Sequence, residues 1–284
     1  MKKILIFSII IYMMIPKEIC LADMSEIKSL IVPEKMKSIA TPSGLLIYLD
    51  NSDEKLREAA VIRLGEIGGG ESIRLLVETF NKEPNKIGME TPEGIKETVI
   101  ISLGRIKSEE SKKELLLILR NYIKLGPKYK GRYSHIYDSQ YYRIIRMTIE
   151  SLSNWDNDEV SNVYLEILND NKLFYGIRQL SYTNYLKIDM RKRGIITVKE
   201  KCKYLSGALT DGAEGAVVWI KGKPGVKTMD AIKNGAIEDL FYWEHEKKDV
   251  LLCLDNILED LPKDDSKRKK IINKIIERIK QKNK

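Results

Sequence analysis

Residues 53–80 read DEKLREAAVIRLGEIGGGESIRLLVETF, the pattern of two helices joined by a glycine turn. In the first half, apolar residues recur at helical spacing from Leu56 to Ile67, so this helix is expected to bury one face. The glycines at 68–70 allow the positive φ angles at which helices end, and a second helix is predicted to open at Glu71. Such a pair cannot cover its own apolar stripes, which implies a similar neighbouring pair.

The pattern recurs twice further along the chain. Leu64-Gly65-x-Ile67 returns as Leu103-Gly104-x-Ile106 after 39 residues and as Leu152-Ser153-x-Trp155 after a further 49. The ten additional residues predict an insertion at about residues 125–138, and insertions between stacked repeats normally form loops on one face. Trp155 stands where the other copies have isoleucine, so we expect it in the core.

The C-terminal half keeps helical periodicity but loses the motif. Helices are predicted at residues 173–188, 228–242, 245–261 and 266–280. Thr197 and Glu200 form a capping-box pattern that opens one further helix. Residues 210–227 contain four glycines and are expected to be irregular. The isoleucine stripe of residues 266–280 is interpreted as the packing face of a terminal helix, with a membrane-surface helix as the alternative.

The first 22 residues have the layout of a secretory signal peptide. Lys2 and Lys3 are followed by an apolar run at residues 4–15, and Ala22 is a small residue before Asp23. We predict cleavage after Ala22 and export to the periplasm or the medium, with lipidation at Cys20 or retention of the segment as alternatives. Three segments are therefore expected: a signal peptide at 1–22, a repeat region at 23–169, and a C-terminal helical region at 170–284 that continues the array.

Composition is that of a folded chain: 43% of the 284 residues are hydrophobic and 32% are charged, with a formal net charge of +8. Two cysteines, Cys202 and Cys253, remain after the predicted cleavage. In an exported protein they could pair, but two separated cysteines fit buried free thiols equally well.

Residues 53–68 resemble the HEAT repeat, in particular its short bacterial type. That pattern has an Asp, an Arg four positions later, two alanines and Leu-Gly-x-Ile, here Asp53, Arg57, Ala59-Ala60 and Leu64-Gly65-x-Ile67. In this pattern the alanines allow close helix approach, and the Asp and Arg can bridge the turn. The resemblance implies an all-α fold, a right-handed α-solenoid of about five antiparallel helix pairs with a Gly-rich irregular segment in the C-terminal half. It implies no activity, because this architecture serves scaffolds and a few enzymes alike.

The sequence offers no catalytic constellation. His135 and His245 are the only histidines, fewer than metal sites or the HEAT-repeat hydroxylases require. Residues 222–228 differ from a phosphate-binding loop, because Val226 stands where a glycine is needed and Pro224 lacks an N–H group. We therefore predict a non-enzymatic protein with no catalytic residues, no cofactor and no metal.

Basic charge is concentrated at residues 122–146, 172–203 and 263–284. Cations beside tyrosines suit acidic partners, although charge runs are often only solvated faces. The predicted partner-binding residues lie in the insertion and in the Gly-rich segment: Lys128, Lys130, Arg132, Tyr133 and Trp219.

These features favour an exported binding or scaffold protein for a protein or peptide partner. One alternative is a module for an acidic polymer: nucleic acid, acidic glycan or anionic lipid. A second is an enzyme resembling the HEAT-like alkylpurine DNA glycosylases, against which the signal peptide argues.

Overall fold

The computed structural model describes residues 32–84, 94–125, 140–209, 219–220, 223–224, 229–242, 247–262 and 264–281. This part of the chain is all-α, as the sequence predicted, apart from one minimal ladder. In that ladder β1 (Trp219–Ile220) pairs antiparallel with β2 (Lys223–Pro224), so that Trp219 is opposite Pro224. None of the helices in the described ranges is both long and apolar enough to cross a bilayer.

The repeated motif forms three helix pairs after a short lead-in. The lead-in consists of α1 (Glu34–Lys37), a 3-10 turn (Pro42–Leu45) and α2 (Leu46–Leu49). The three pairs are α3 (Glu54–Ile67) with α4 (Gly69–Lys82), α5 (Ile95–Ile106) with α6 (Glu109–Leu125), and α7 (Gln140–Leu152) with α8 (Asp158–Asn169).

The C-terminal half adds five more helices in the described ranges. These are α9 (Tyr175–Lys192), α10 (Val198–Gly207), α11 (Met229–Tyr242), α12 (Lys247–Asp260) and α13 (Ser266–Gln281). The predicted capping box is confirmed, because the Thr197 side chain accepts from the Glu200 N–H and the Glu200 carboxylate accepts from the Thr197 N–H.

The glycine turn begins the second helix earlier than predicted. Gly68 and Gly69 have φ angles of +71° and +80°, as the sequence predicted, but α4 begins at Gly69 instead of Glu71. Asp53 caps α3 by accepting a hydrogen bond from the Lys55 N–H at 2.9 Å.

The first helices of successive pairs pack side by side in the same direction. The Thr98 hydroxyl donates to Glu58 at 2.8 Å near the N-terminal ends of α5 and α3, and Gly65 contacts Ser102 towards their C-terminal ends. α5 packs in turn against α7, α7 contacts α9, and α9 contacts α11. Among the second helices, α4 contacts α6 and α10 contacts α12.

The motif glycines lie where successive first helices approach closely. A Cβ atom on Gly65 would lie 2.8 Å from the Ser102 Cβ, and one on Gly104 would lie 2.9 Å from the Ser151 Cβ. Each motif glycine therefore accommodates a serine of the next repeat. The third copy has Ser153 at this position, and there Arg191 of α9 donates a hydrogen bond to the Ser153 carbonyl oxygen.

The buried apolar residues form two clusters that meet at α8 and α9. The first extends from Val32 to Ile188 and includes Trp155, which confirms its predicted core position. The second extends from Leu168 to Ile279, and Tyr185 packs against both clusters. Four isoleucines of α13 are buried in the second cluster, so the terminal helix is a packing helix as predicted: Ile272, Ile275, Ile276 and Ile279.

A disulfide joins α10 to α12. The sulfur atoms of Cys202 and Cys253 are bonded, with the two Cα atoms 6.5 Å apart. The sequence had left pairing and free thiols equally open.

Candidate binding surface

From α3 to α7, the connections between helices are long at one edge and short at the other. α4 and α5 are separated by residues 83–94, and α6 and α7 by residues 126–139. At the opposite edge Gly68 alone separates α3 from α4, and residues 107–108 separate α5 from α6. We define the insertion edge as the C-terminal ends of α4 and α6 together with the N-terminal ends of α5 and α7.

The predicted partner-binding residues fall mainly outside the described part of the chain. Lys128, Lys130, Arg132 and Tyr133 lie within residues 126–139, which the structure does not describe. Trp219 lies in β1, where only the backbone pairing is described. The structure does describe the helix ends on either side of the insertion, which are the C-terminal end of α6 and the N-terminal end of α7.

A buried carboxylate holds the second end of the insertion. Glu97 lies in the first turn of α5, where a helix favours negative charge, and its side chain has no solvent exposure. The Arg143 Nε donates to Glu97 Oε1 and the Gln140 Nε2 donates to Glu97 Oε2, each at 3.2 Å. Glu97 therefore fixes the first turn of α7, immediately after the insertion.

Equivalent cations of two repeats also lie on the insertion edge. Lys96 occupies the repeat position of Arg57, and its Nζ lies 4.9 Å from the centroid of the Phe80 ring. Burial lowers the pKa of Lys96, against the raising effect of Glu97 and Glu83. One edge of the stack thus carries closely packed opposite charges.

The HEAT resemblance implied that Asp53 and Arg57 together bridge the turn. In the structure each of the two side chains contacts a different part of the turn. Asp53 caps α3, whereas Arg57 Nη1 donates to the carbonyl oxygens of Asn51 and Ser52. The Arg57 Nε also donates to the Glu83 carboxylate at 2.9 Å, next to the start of the connection to α5.

Aromatic rings line the same edge. Phe80 of α4 contacts Tyr122 of α6 edge-on with centroids 6.0 Å apart, and Tyr122 stacks on Tyr141 of α7 at 6.1 Å. Tyr142 continues the series by an edge contact with Phe174 at 6.3 Å. Because Phe80, Tyr122 and Tyr142 are buried, these rings support the base of the insertion and present little free face to a ligand.

The cationic run at 191–193 is neutralised by acids of neighbouring turns. Arg191 Nη2 lies 2.6 Å from Asp156 Oδ1, and Lys192 forms an ion pair with Asp158. This run therefore fastens α9 to the start of α8, which leaves it little charge to offer an acidic partner.

Arg193 extends this fastening to α10. Its Nε donates to Asp189 at 2.8 Å, and its guanidinium lies 5.6 Å from the centroid of the Tyr204 ring. Burial and a hydrogen bond to Asp189 raise the pKa of Tyr204, which keeps this hydroxyl protonated as a donor.

Sequence reasoning missed Glu97, because a buried glutamate in a helical stretch looks like any solvated one. Its partner Arg143 is 46 residues away, beyond any local pattern. Among the described residues, no group of three or more His, Cys, Asp or Glu side chains is arranged to hold a metal ion.

Comparisons of the chain with protein-family models, with curated proteins and with solved structures find no significant match. The geometry of the insertion edge is therefore the basis for a functional argument.

Proposed function

We propose that the chain is an exported, non-enzymatic binding protein, built as a HEAT-like α-solenoid, that holds a protein or peptide partner at the insertion edge. The observation that carries the proposal is the unequal length of the connections on the two edges. A repeat array needs only short turns, yet the two long connections between α4 and α7 both leave from the insertion edge.

The solenoid arrangement is supported by two sets of contacts. α3, α5, α7 and α9 pack successively, and α4 with α6 and α10 with α12 supply parts of a second row. On this arrangement the array has five helix pairs, α3/α4 to α11/α12, closed by α13, and its right-handed sense follows from the HEAT resemblance.

The chemistry of the insertion favours an acidic segment of a partner protein. Lys128, Lys130 and Arg132 supply positive charge beside Tyr133, whose flat ring suits a peptide surface. Because Glu97 and the stacked Tyr122 and Tyr141 rings hold both ends of the insertion, less conformational entropy is lost on binding than for an untethered segment.

Export is supported by two independent features. Residues 1–22 have the signal-peptide layout, and the bond between Cys202 and Cys253 is of a kind that persists in oxidising compartments.

The test removes the charge of the insertion. We expect a chain with Lys128→Ala, Lys130→Ala and Arg132→Ala to lose an envelope protein that the immobilised wild-type chain retains, and we expect raised salt to release that protein. The readout is quantitative mass spectrometry of the retained proteins, with thermal unfolding as the check on folding. Thermal stability should be nearly unchanged, because exposed cations contribute little to folding.

A matched control removes three exposed cations elsewhere: Arg105, Lys113 and Arg120. This control should retain the same protein as the wild type. The proposal fails if the insertion variant retains the wild-type set at low salt, or if both variants lose the same proteins, because general charge would then explain the binding.

A further inference from the structure

The terminal helix α13 carries most of the net charge of the chain. Its sequence SKRKKIINKIIERIKQ contains seven lysine and arginine residues and one acid, Glu277, whereas the whole chain has a formal net charge of +8. This concentration is separate from the insertion edge.

Packing fixes which side of α13 meets solvent. Because Ile272, Ile275, Ile276 and Ile279 are buried in the second core cluster, the opposite face is directed outward. The exposed and half-exposed cations of that face are Lys269, Lys270, Lys274, Arg278 and Lys280.

At least three of these cations are not paired with a carboxylate of any described residue. Lys269, Lys274 and Lys280 form no ion pair with any described residue, whereas Arg268 pairs with Asp265 at 3.9 Å, and Lys270 and Arg278 have interactions of their own. This differs from the run at 191–193, in which every cation faces a carboxylate. The charge of these three lysines is therefore available to a partner.

The residues on this face restrict the classes of anionic partner that it can bind. α13 has no aromatic residue on which bases could stack, which argues against single-stranded nucleic acid. Its apolar side is buried, so it cannot enter a bilayer as an amphipathic helix does. What remains is a group of cations that extends about 16 Å along the helix axis from Lys269 to Lys280 and suits an array of phosphate groups.

The neighbouring helix restricts how such a surface could be approached. The exposed and half-exposed charges of α12 are mainly acidic: Asp249, Asp255, Glu259 and Asp260 against Lys247 and Lys248. An anionic surface is therefore attracted by α13 and repelled by α12, which favours a single orientation. We propose that the solvent face of α13 docks the protein on the surface of an anionic phospholipid bilayer.

Vesicle cosedimentation of the full mature chain tests the proposal. We expect binding to vesicles that contain phosphatidylglycerol, no binding to pure phosphatidylcholine vesicles, and release by raised salt. Each cation near such a surface contributes about fivefold in affinity. A chain with Lys269→Gln, Lys274→Gln and Lys280→Gln should therefore bind at least about tenfold more weakly.

The control Arg105→Gln, Lys113→Gln, Arg120→Gln removes the same charge from α5 and α6 and should bind as the wild type does. If both variants bind vesicles equally weakly, the net charge of the protein explains the binding and the proposal is overturned. Absence of vesicle binding at low salt would overturn it too. Binding to soluble polyphosphate but not to vesicles would replace the bilayer with a free phosphate polymer. Circular dichroism of each variant checks that α13 is still folded.

Discussion

At the residue scale, the contact between Gly65 and Ser102 explains why the motif contains glycine. Glycine inside a helix lowers helix stability. The glycines at positions 65 and 104 must therefore be explained by packing between helices. The reason is space for Ser102 and Ser151 of the following repeat. The HEAT resemblance had assigned close approach to Ala59 and Ala60, which are buried, and the glycines Gly65 and Gly104 approach the next helix closely as well.

Gly65→Ala should destabilise the protein. The new Cβ would lie 2.8 Å from the Ser102 Cβ and 3.0 Å from its Cα, so backbone must move. We expect a loss of about 1–3 kcal/mol in the free energy of unfolding, measured by urea denaturation. Adding Ser102→Gly should restore part of the loss, because it removes two of the three close atoms, the Ser102 Cβ and Oγ.

Gly207→Ala is the matched control, since nothing lies within 4 Å of a Cβ at the end of α10. It should be neutral or slightly stabilising. A Gly65→Ala variant as stable as Gly207→Ala would show that the two repeats do not approach as closely as described.

At the element scale, the helices themselves were the most predictable feature. Periodicity and caps predicted α3 to within one residue, and Thr197 marked the start of α10 correctly. The contacts between helices were not predictable, because the groups concerned are far apart in sequence. Arg191 and Asp156 are 35 residues apart, so their mutual neutralisation could not be inferred from the run at 191–193.

Glu97→Gln should loosen the start of α7. The substitution keeps the shape of the side chain but removes the charge that faces Arg143, and breaking a buried ion pair costs about 3–5 kcal/mol. Arg143 is partly exposed, so solvent screening should reduce the loss to about 1–3 kcal/mol. Urea denaturation measures this loss. The substitution should also accelerate hydrogen exchange more in the first turn of α7 than in α8.

Glu78→Gln serves as the control, because Glu78 pairs with Arg74 on the exposed surface of α4. Its effect should stay below about 0.5 kcal/mol. Equal effects of the two glutamine substitutions would contradict the anchoring role of Glu97.

At the scale of the whole molecule, the disulfide belongs to one of the two core clusters. Cys202 is buried in the second cluster and Cys253 packs against it, whereas the first cluster has no described cysteine. The sequence could not predict this bond, because two cysteines 51 residues apart fit paired and free thiols alike. The assignment of the insertion to one edge was predicted by the change of repeat length from 39 to 49 residues.

Reduction should therefore weaken the C-terminal part of the protein selectively. Closing a loop of this length typically contributes about 2–4 kcal/mol. With reductant, hydrogen exchange should accelerate in α10 and α12 and stay unchanged in α3 and α5.

The protein recovered from the envelope should begin at Asp23 and be lighter by two hydrogens than its reduced form in intact-mass measurement.

A chain with Cys202→Ala and Cys253→Ala should not respond to reductant. If the wild-type chain is equally indifferent, or if the cellular protein carries free thiols and retains Met1, the oxidised exported state is wrong.

The stacked rings of Tyr122 and Tyr141 have a consequence for how this protein can evolve. They join α6 and α7 directly, so the packing of the array does not depend on the length of chain inserted between the two helices. In a flexible loop, each doubling of length costs only about 0.6 kcal/mol. A change in the length or charge of the insertion should therefore leave the contact between α6 and α7 intact, so that this segment can diverge faster than the helices on either side of it.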